Sequence, residues 1–514
     1  MSVSYFKQYP KPWAMLLRLR AKKKPAPPQN ISLFLQHQSP VAHIDERYLS
    51  FSIDISVLAG GFWWEGSLGI KRGLGTLKIP PLELDLKKLD KLVRLLAPAY
   101  LRIGGSEADK IHYFNAPDDE QDPLILTQKQ WDNLHSFTKR NNLRLMFTCK
   151  YGLFKRKHHG RWQGDELSEL LRYSAEQGYA IDVFELGNEL NAYWAFHGLM
   201  SQPRAINLAR DYDRFCDLIA QFYPKARICG PGSAFWPKLG EAIRPITNIT
   251  PKFLSNLKTR IDIIDWHYYP FQSERSPVRT RAAQLHRMLD PASFEDFRNF
   301  SQRLCRLRDR YQPQAEVWTG ESGSAQCGGQ PDLSDRWASS FWWADQLGMG
   351  ARCGQSAMVR QSLVGGDYGL VDRLTLKPRP DYWVSWLWGQ MMGQAVYALD
   401  SQAPHLRAYL HSSKSDNGLV LLLINLQDRP VTVAGALTQL LNIQHGYVLT
   451  AKNLYSRKVR LNDRKLRFNG GKVTLDDFPA IGFTGAIAPL SISFWQCDKP
   501  EDLERVTLQS LARH

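Results

Sequence analysis

The feature that most constrains the fold is an alternation, repeated eight times between residues 49 and 392, of a short apolar segment and a longer amphipathic one. The short segments are predicted strands, and the amphipathic segments have the apolar spacing of helices. The predicted strands cover residues 49–56, 100–105, 143–150, 182–189, 226–231, 261–269, 315–321 and 355–361. After the sixth strand a long helical region is predicted over residues 281–311. Eight such units in succession predict a closed parallel (β/α)8 barrel.

The pattern changes after residue 395 to short alternating segments separated by turns such as Asp416-Asn417-Gly418. These segments, residues 406–411, 419–426, 430–434, 446–455 and 491–497, are predicted strands of a β-sandwich. We therefore predict a barrel over residues 47–395 and a sandwich over residues 396–500. A detached strand within residues 31–46 is predicted to join the sandwich, leaving a basic tail at residues 1–30 and a short tail at residues 501–514.

The charge balance favours an anionic partner. Lys plus Arg is 66 and Asp plus Glu is 50, for a net charge of +16. Such a chain attracts nucleic acid, anionic membranes or acidic polysaccharide, and composition alone does not choose among them. A general basic composition without a specific partner is the alternative.

Cysteine usage and the N-terminal sequence bear on the compartment. The seven Cys include no C-x-x-C pair, which argues against a zinc ribbon and against a dense disulfide framework. The apolar segment Trp13–Leu17 is too short for a signal-peptide core, and no run has the length of a membrane span. We therefore expect a cytoplasmic protein with a solvated basic tail, with contact between that tail and a membrane surface as the alternative.

Two predicted strands deliver a carboxylate at their carboxyl end, where the active sites of (β/α)8 enzymes lie. The segment 182–189 ends in Asn188-Glu189, and the segment 318–324 carries Glu321. Glycoside hydrolysis needs two carboxylates, and a retaining enzyme holds them about 5–5.5 Å apart. Glu189 is the candidate acid/base and Glu321 the candidate nucleophile. The alternative is two ordinary strand ends with exposed polar side chains.

Further polar and Gly residues fall at the same predicted rim. The sixth strand carries Trp266-His267-Tyr268-Tyr269, in which His267 and a Tyr either orient the nucleophile or form a core aromatic cluster. Other strand ends supply Asp54, Gly104-Gly105-Ser106 and Gly365-Gly366-Asp367-Tyr368. The His158-His159 pair has no acidic or Cys partner at ligand spacing, so no metal and no cofactor is predicted.

Several motifs, in order along the chain, resemble glycoside hydrolase family 79, the family of the heparanase-like β-glucuronidases. The resemblance extends over about residues 40–497 and rests on residues 97–105, 185–189, 320–322, 328–329, 333–335, 359–361, 366–368, 380–383 and 490–494. The sequence departs from the family at Ser106, where Thr is usual, and at Leu190, where Pro is usual. The strand-six motif is also one residue shorter, which leaves open whether Tyr268 or Tyr269 contacts the nucleophile.

The resemblance implies a retaining endo- or exo-acting β-glucuronidase with Glu189 as acid/base and Glu321 as nucleophile. It implies that sugar hydroxyls contact Asp54, Ser106 and Asn188, and that Gly366 and Tyr368 hold the glucuronate carboxylate. The remaining substrate-binding candidates are Gly105, His267, Tyr269, Gly328, Gly329 and Gln361.

Basic residues cluster on the predicted loops of this face, at residues 155–161, at Arg275, Arg279 and Arg281, and at Arg373, Lys377 and Arg379. Such side chains suit sulfate and carboxylate groups, although solvated loop charge is the alternative. We expect an acidic polysaccharide or glucuronide substrate, no nucleic-acid partner and a monomer. The competing hypotheses are a hydrolase of neutral β-xylosides or β-glucosides and a polyanion-binding protein without turnover.

Overall fold

The computed structural model describes residues 29–37, 39–64, 77–118, 120–152, 160–198, 201–236, 239–240, 247–277 and 279–500. The predicted C-terminal tail and all but two residues of the predicted N-terminal tail lie outside these ranges. Gln29 and Asn30 belong to the first strand, which therefore begins two residues before the boundary predicted from the sequence.

Eight parallel strands close into a barrel. In chain order they are β1 (Leu49–Asp54), β2 (Ala99–Gly104), β3 (Leu143–Cys149), β4 (Val183–Leu186), β5 (Arg227–Trp236), β6 (Ile263–Tyr268), β7 (Glu316–Ser322) and β8 (Ala357–Arg360). Neighbours pair in the order β4, β3, β2, β1, β8, β7, β6, β5, and β4 also pairs with β5 to complete the ring. The predicted (β/α)8 fold is confirmed.

One principal helix follows each barrel strand. These helices are α1 (Lys87–Arg94), α2 (Gln128–Arg140), α3 (Asp165–Glu176), α4 (Ala205–Phe222), α5 (Thr250–Asn256), α6 (Glu295–Tyr311), α7 (Trp337–Arg352) and α8 (Pro380–Met391). A capping box between Thr127 and Gln130 fixes the start of α2. Pro380 at the first turn of α8 costs no helical hydrogen bond, because the N–H at that position has no partner in any helix.

The long helical region predicted over residues 281–311 is interrupted in its first half. The structure has one turn at Leu285–Met288, a 3-10 turn at Pro291–Ser293 and then α6. Pro291 lacks the N–H that a helix interior needs, so the chain restarts there. Glu295 and Asp296 in the first turn of α6, with Arg308 and Arg310 in the last, suit the helix dipole.

Shorter elements fill the connections. They are the helical segments Ile55–Ala59, Ser106–Asp109, Leu190–Ala192 and Tyr193–His197, and the strands Phe62–Trp63, Leu77–Lys78, His112–Tyr113, Ile125–Leu126 and Leu239–Gly240. Most of them follow the carboxyl end of a barrel strand, so they build the walls of the barrel mouth.

The barrel interior changes from apolar to charged along its axis. A lower layer consists of Tyr100, Met146, Val183, Cys229, Ile263, Trp318 and Ala357. Strand side chains alternate, so residues two positions further along point into the same interior but nearer the mouth. Three of those positions are Arg102, Glu185 and Asp265, all fully buried. The floor of the barrel mouth therefore carries ionisable side chains, and buried charges need one another as partners.

A sandwich follows the barrel, and its first strand, Met392–Tyr397, begins directly after α8. The main sheet contains, in spatial order, Arg464–Lys465, Val459–Leu461, Ile443–Ala451, Ser491–Cys497, Leu419–Asn425, Leu406–Ser413, Met392–Tyr397 and Ala42–His43, with Ile481–Gly482 beside Ile443–Ala451. The facing small sheet contains Gln29–Ile31, Val431–Val433 and Ala486–Ile487, while Leu33–Leu35 pairs with Leu399–Ser401. N-terminal strands thus complete the sandwich.

The barrel and the sandwich share one continuous apolar core. Backbone bonds also join them, since Trp337 and Ala338 at the start of α7 donate to the carbonyls of Ser456 and Leu454 at 2.9 Å each. Arg407 of the sandwich pairs with Asp345 of α7 at 2.6 Å. Among the described residues no helix has the length and apolar character needed to cross a membrane.

Candidate active site

Glu189 and Glu321 face each other at the mouth of the barrel. Glu189 follows β4, and Glu321 is the penultimate residue of β7; they are 4% and 6% exposed. One carboxylate oxygen of each lies with a ring nitrogen of His267 in a group whose atoms are all within 4.8 Å of one another. The structure thus brings together the two carboxylates that the sequence singled out.

The backbone of Glu189 is left-handed, with φ 49° and ψ 50°. A non-glycine residue in that region costs about 1–3 kcal/mol, and such strain persists where the surroundings hold it in place. Trp236 at the end of β5 donates its indole N–H to the Glu189 carboxylate at 3.2 Å. Burial raises the pKa of Glu189 above its ordinary value, an effect that the nearby His267 opposes and that Glu321 reinforces.

Glu321 is held by two donors. The hydroxyl of Tyr269 donates to one carboxylate oxygen at 2.5 Å, and Nη1 of Arg102 donates to the other at 2.7 Å. The hydroxyl-bearing ring of Tyr268 instead packs against Phe297, with the ring centroids 5.3 Å apart. The structure therefore places Tyr269, and not Tyr268, on the candidate nucleophile.

Arg102 connects both halves of the site. Its guanidinium donates to Glu185 at 2.9 and 3.1 Å and to the side-chain oxygen of Asn188 at 2.8 Å, besides its bond to Glu321. Burial opposes its charge, but Glu185 and Glu321 raise the pKa of Arg102 above its ordinary value. Burial likewise acts against ionisation of Glu185, and Arg102 reverses this and lowers the pKa of that carboxyl.

His267 lies beneath the two carboxylates and has no exposed surface. Its Nδ1 is 3.5 Å from Glu189 and 3.9 Å from Glu321, while its Nε2 is 3.5 Å from Asp265 and 3.7 Å from Glu185. Burial lowers the pKa of His267, but these carboxylates, Glu321 foremost, raise it well above its ordinary value.

Asp54, Gly105 and Gln361 lie together beside Glu321. Asp54 ends β1, accepts the backbone N–H of Ser56 at 2.9 Å and faces the Gln361 amide nitrogen at 3.5 Å. Burial raises the pKa of Asp54 to about 8. A side chain at Gly105 would meet the Asp54 carboxylate at 2.0 Å, so only glycine fits there. Ser106, which begins the 3-10 turn, is half-buried.

Asn188 is placed by two interactions rather than one. Its backbone N–H donates to Asp109 at 3.0 Å, and its side-chain oxygen accepts from Arg102. Because the oxygen is taken, the side-chain amide NH2 is the group that can reach a substrate.

Two loops meet at the far wall. Gly328 and Gly329 have left-handed backbones at φ 78° and 91°, and the carbonyl of Gly328 accepts the backbone N–H of Asp367 at 2.6 Å. This contact holds the loop of Gly366 and Tyr368 against the loop that follows β7. Arg360 donates to the carbonyl of Tyr368 at 2.8 Å, and Arg379 donates to that of Gly366.

The predicted basic cluster is only partly available to a ligand. Arg275 pairs with Asp367 at 2.7 Å and Arg281 with Asp296 at 2.7 Å, and Arg379 is buried against its own loop. These side chains serve the loops themselves, because a buried guanidinium needs acceptors. Arg161, Arg279 and Lys377 are exposed, and residues 153–159 lie outside the described ranges.

Sequence reasoning assigned no role to Arg102, Glu185 or Asp265. Each lies on a barrel strand two or four residues before a rim residue, so the two-residue period of a strand would have placed them under the site. In the part of the chain that the structure describes, two groups contain atoms of metal-ligand type, Glu189 with His267 and Glu321, and Glu185 with Cys229 and Asp265. Arg102 already supplies a cation to both groups, and burial raises the pKa of the Cys229 thiol, so we assign neither to a metal.

A (β/α)8 barrel with a C-terminal sandwich and a carboxylate pair at its mouth defines a glycoside hydrolase, and comparison with known proteins agrees. Residues 31–348 match the model of the glycosyl hydrolase family 79 N-terminal domain. The chain belongs to that family.

Relatives cover most of the chain at low identity. "Heparanase-like protein 1" of Arabidopsis thaliana is 28% identical over 80% of this chain and 77% of its own length. "Heparanase" of Bos taurus is 28% identical over 67% and 71%, and "Inactive heparanase-2" of Mus musculus is 25% identical over 90% and 88%. A family 51 α-L-arabinofuranosidase from Thermotoga petrophila shares the fold, with a TM-score of 0.61 at 13% identity over 91% of this chain and 99% of that one.

Proposed function

We propose that the protein is a retaining β-glucuronidase that cleaves glucuronide linkages in an acidic polysaccharide of the heparan sulfate type. The observation that carries the proposal is the approach of Glu189 and Glu321 within 4.8 Å at the mouth of the barrel. An inverting enzyme needs about 6.5–9.5 Å between its carboxyl groups to admit a water molecule, whereas direct attack by a carboxylate needs about 5–5.5 Å.

The surroundings of Glu189 and Glu321 suit these two side chains to different roles. Burial favours the protonated form of Glu189, which is the form that donates a proton to the leaving oxygen. Arg102 and Tyr269 direct donors at the two oxygens of Glu321, which is the arrangement that an ionised nucleophile needs. Attack by Glu321 on the anomeric carbon would form a glycosyl-enzyme ester while Glu189 protonates the departing sugar. Glu189 would then take a proton from the water that releases the product.

The glucuronate assignment rests on the loop after β8. The backbone N–H of Gly366 donates to no acceptor within the described chain, and Gly366 has a left-handed φ of 67° beside Tyr368. Three guanidiniums, Arg275, Arg360 and Arg379, bind this loop and hold it in place, and each is paired with a carboxylate, that of Asp367, Asp381 and Asp372 respectively. A substrate carboxylate would find two donors there, the Gly366 N–H and the Tyr368 hydroxyl. The names of the relatives and the net charge of +16 support a polymeric acidic substrate.

The decisive experiment compares aryl β-glucuronide, β-glucoside and β-xyloside as substrates. We expect the glucuronide to be preferred by roughly ten- to a hundredfold in kcat/KM, the worth of a hydrogen bond to a charged group. A 2-fluoro glucuronide with a good leaving group should trap an adduct on the peptide that contains Glu321. A preference for the glucoside would favour the neutral-substrate alternative. Binding of heparan oligosaccharides without turnover of any substrate would favour a polyanion-binding protein.

A further inference from the structure

The buried carboxylates of Glu185 and Asp265 have no obvious part in the reaction described above. Both are fully buried on inward-facing positions of β4 and β6, below the catalytic pair. Within the described chain neither oxygen of Asp265 accepts a hydrogen bond, and Glu185 Oε1 accepts none either. Buried carboxylate oxygens that accept no hydrogen bond are costly, so these three oxygens need a cationic neighbour.

The shared neighbour of these carboxylates is His267. Asp265 Oδ2 lies 3.5 Å and Glu185 Oε1 3.7 Å from Nε2 of the imidazole. The other ring nitrogen, Nδ1, is turned to the catalytic side, 3.5 Å from Glu189. The imidazole thus separates two buried carboxylates from two that face the substrate.

Two glycines, one on β7 and one on β5, leave space for the carboxylates of Asp265 and Glu185. A side chain at Gly320 would meet Asp265 Oδ1 at 2.0 Å, and one at Gly232 would meet Glu185 Oε1 at 2.3 Å. Both glycines lie where the strand register shifts, in β7 between Thr319 and Ser322 and in β5 between Gly230 and Ser233. Such irregularities are concentrated beside active sites, where they aim side chains.

We infer that Asp265 and Glu185 are positioning residues that hold the His267 imidazole in its doubly protonated form, so that Nδ1–H points at Glu189 between the two catalytic carboxylates. The inference rests on the proposed function, because it assigns the imidazolium a task in that reaction. A fixed cation there favours the ionised form of Glu189 that follows proton donation. This offsets the burial that otherwise raises the pKa of Glu189.

Glu185 and Asp265 do not contribute equally to the negative charge beside His267. Arg102, also in contact with Glu185, keeps that group ionised, whereas burial raises the pKa of Asp265 to about 7. Among the described residues, the other charged or titratable groups near Asp265 are Glu185 on β4, Cys229 on β5, Arg102 on β2 and Tyr212 on α4. Asp265 therefore carries its full negative charge only above neutral pH. The effect of removing that charge should appear in this pH range.

The test replaces Asp265 with asparagine, which keeps the shape and removes the charge. If Asp265 holds the proton on His267, the Asp265→Asn protein has a neutral imidazole at alkaline pH. Glu189 then loses a cationic neighbour, and the alkaline limb of the kcat/KM profile moves up by about one pH unit. If His267 keeps its proton, loss of a negative charge leaves that limb in place or moves it down, and the inference is overturned. The control is Asp345→Asn, another buried Asp, which is bonded to Arg407 and Tyr409 at the sandwich.

A second readout does not need turnover. Proton–nitrogen NMR of protein labelled in the His rings, with His267 assigned by its loss in a His267→Gln variant, reports the protonation of both ring nitrogens. We expect both nitrogens to carry a proton at pH 7 in the parent and the His267 pKa to fall in Asp265→Asn. A singly protonated His267 in the parent would refute the inference even for an active enzyme. A doubly protonated His267 in a protein that cleaves no glycoside would refute the proposed function instead.

Discussion

At the residue scale, substitution of Tyr368 is the most direct test of the proposed specificity for glucuronides. Its side chain is 3% exposed and packs beside Tyr269, with ring centroids 6.3 Å apart. Tyr368→Phe removes one oxygen and leaves that packing in place. We expect kcat/KM on an aryl β-glucuronide to fall by roughly ten- to a hundredfold. Weak activity on the matched glucoside should stay nearly unchanged, and equal losses on both substrates would contradict carboxylate recognition.

Glu189 offers a separate test of the acid/base role. Glu189→Gln keeps the size of the side chain and removes the proton that it would donate. We expect natural or poorly activated leaving groups to lose about 100-fold or more, while aryl glycosides with very good leaving groups lose much less. Rates measured across a series of substituted phenyl glucuronides would show this as a steeper dependence on leaving-group pKa. An unchanged slope would rule the role out.

Two kinds of residue in the site differ in how far the sequence predicts them. Glu189 follows an apolar strand and Glu321 lies at the end of one, so position and chemistry both single them out. Arg102, Glu185 and Asp265 lie inside strands, where counting back from a rim residue gives the face of the strand but not which side chains meet across the barrel. Only the closed ring shows that three distant strands place these charges together.

At the scale of elements, β5, β6 and β7 all change register near their carboxyl ends, between Gly230 and Ser233, Trp266 and His267, and Thr319 and Ser322. Three adjacent irregular strands turn His267, Glu321 and Trp236 toward one point. Alternation in the sequence predicts where these strands lie, but it cannot predict a register shift, because that depends on the neighbouring strand.

Substitution of Gly320 tests the importance of the register shift in β7. A methyl group there would come within 2.5 Å of the Asp265 side-chain carbon, so Gly320→Ala must push the carboxylate away from His267. We expect a loss of about 1–3 kcal/mol in the free energy of unfolding, together with a large loss of activity. Denaturant unfolding and initial rates would measure both. Gly389→Ala in α8, where a Cβ has open space, is the control and should be neutral or slightly stabilising.

The elements that sequence analysis missed are short. The predicted sandwich strands at residues 406–411, 419–426, 430–434 and 491–497 correspond closely to observed ones, since each is an apolar or alternating run that turn residues separate from the next. Segments such as Leu399–Ser401, Arg464–Lys465 and Ile481–Gly482 have two or three residues, too few for a period. Their pairing depends on the neighbouring strands.

At the scale of the whole molecule, the connection between β2 and α2 bears on whether the chain needs proteolytic cleavage before it is active. Residues 105–127 contain the 3-10 turn at Ser106–Asp109 and the paired strands His112–Tyr113 and Ile125–Leu126. The connection is short and tied down at both ends. We therefore expect the intact chain to be active. Limited proteolysis of freshly purified protein, followed by gel analysis and rate measurement, should give no rise in kcat; activation on cleavage would contradict this.

The left-handed backbone of Glu189 has a consequence for engineering. That conformation and the burial of a carboxyl group both work against the folded state, and both vanish in Glu189→Gly. The variant should lose most of its activity on natural glycosides, which have poor leaving groups, and yet melt at the same temperature as the parent or higher. Selection for thermostability alone would therefore tend to remove Glu189. Any directed improvement of this enzyme has to screen for turnover and heat resistance together, because at this position the two traits are in conflict.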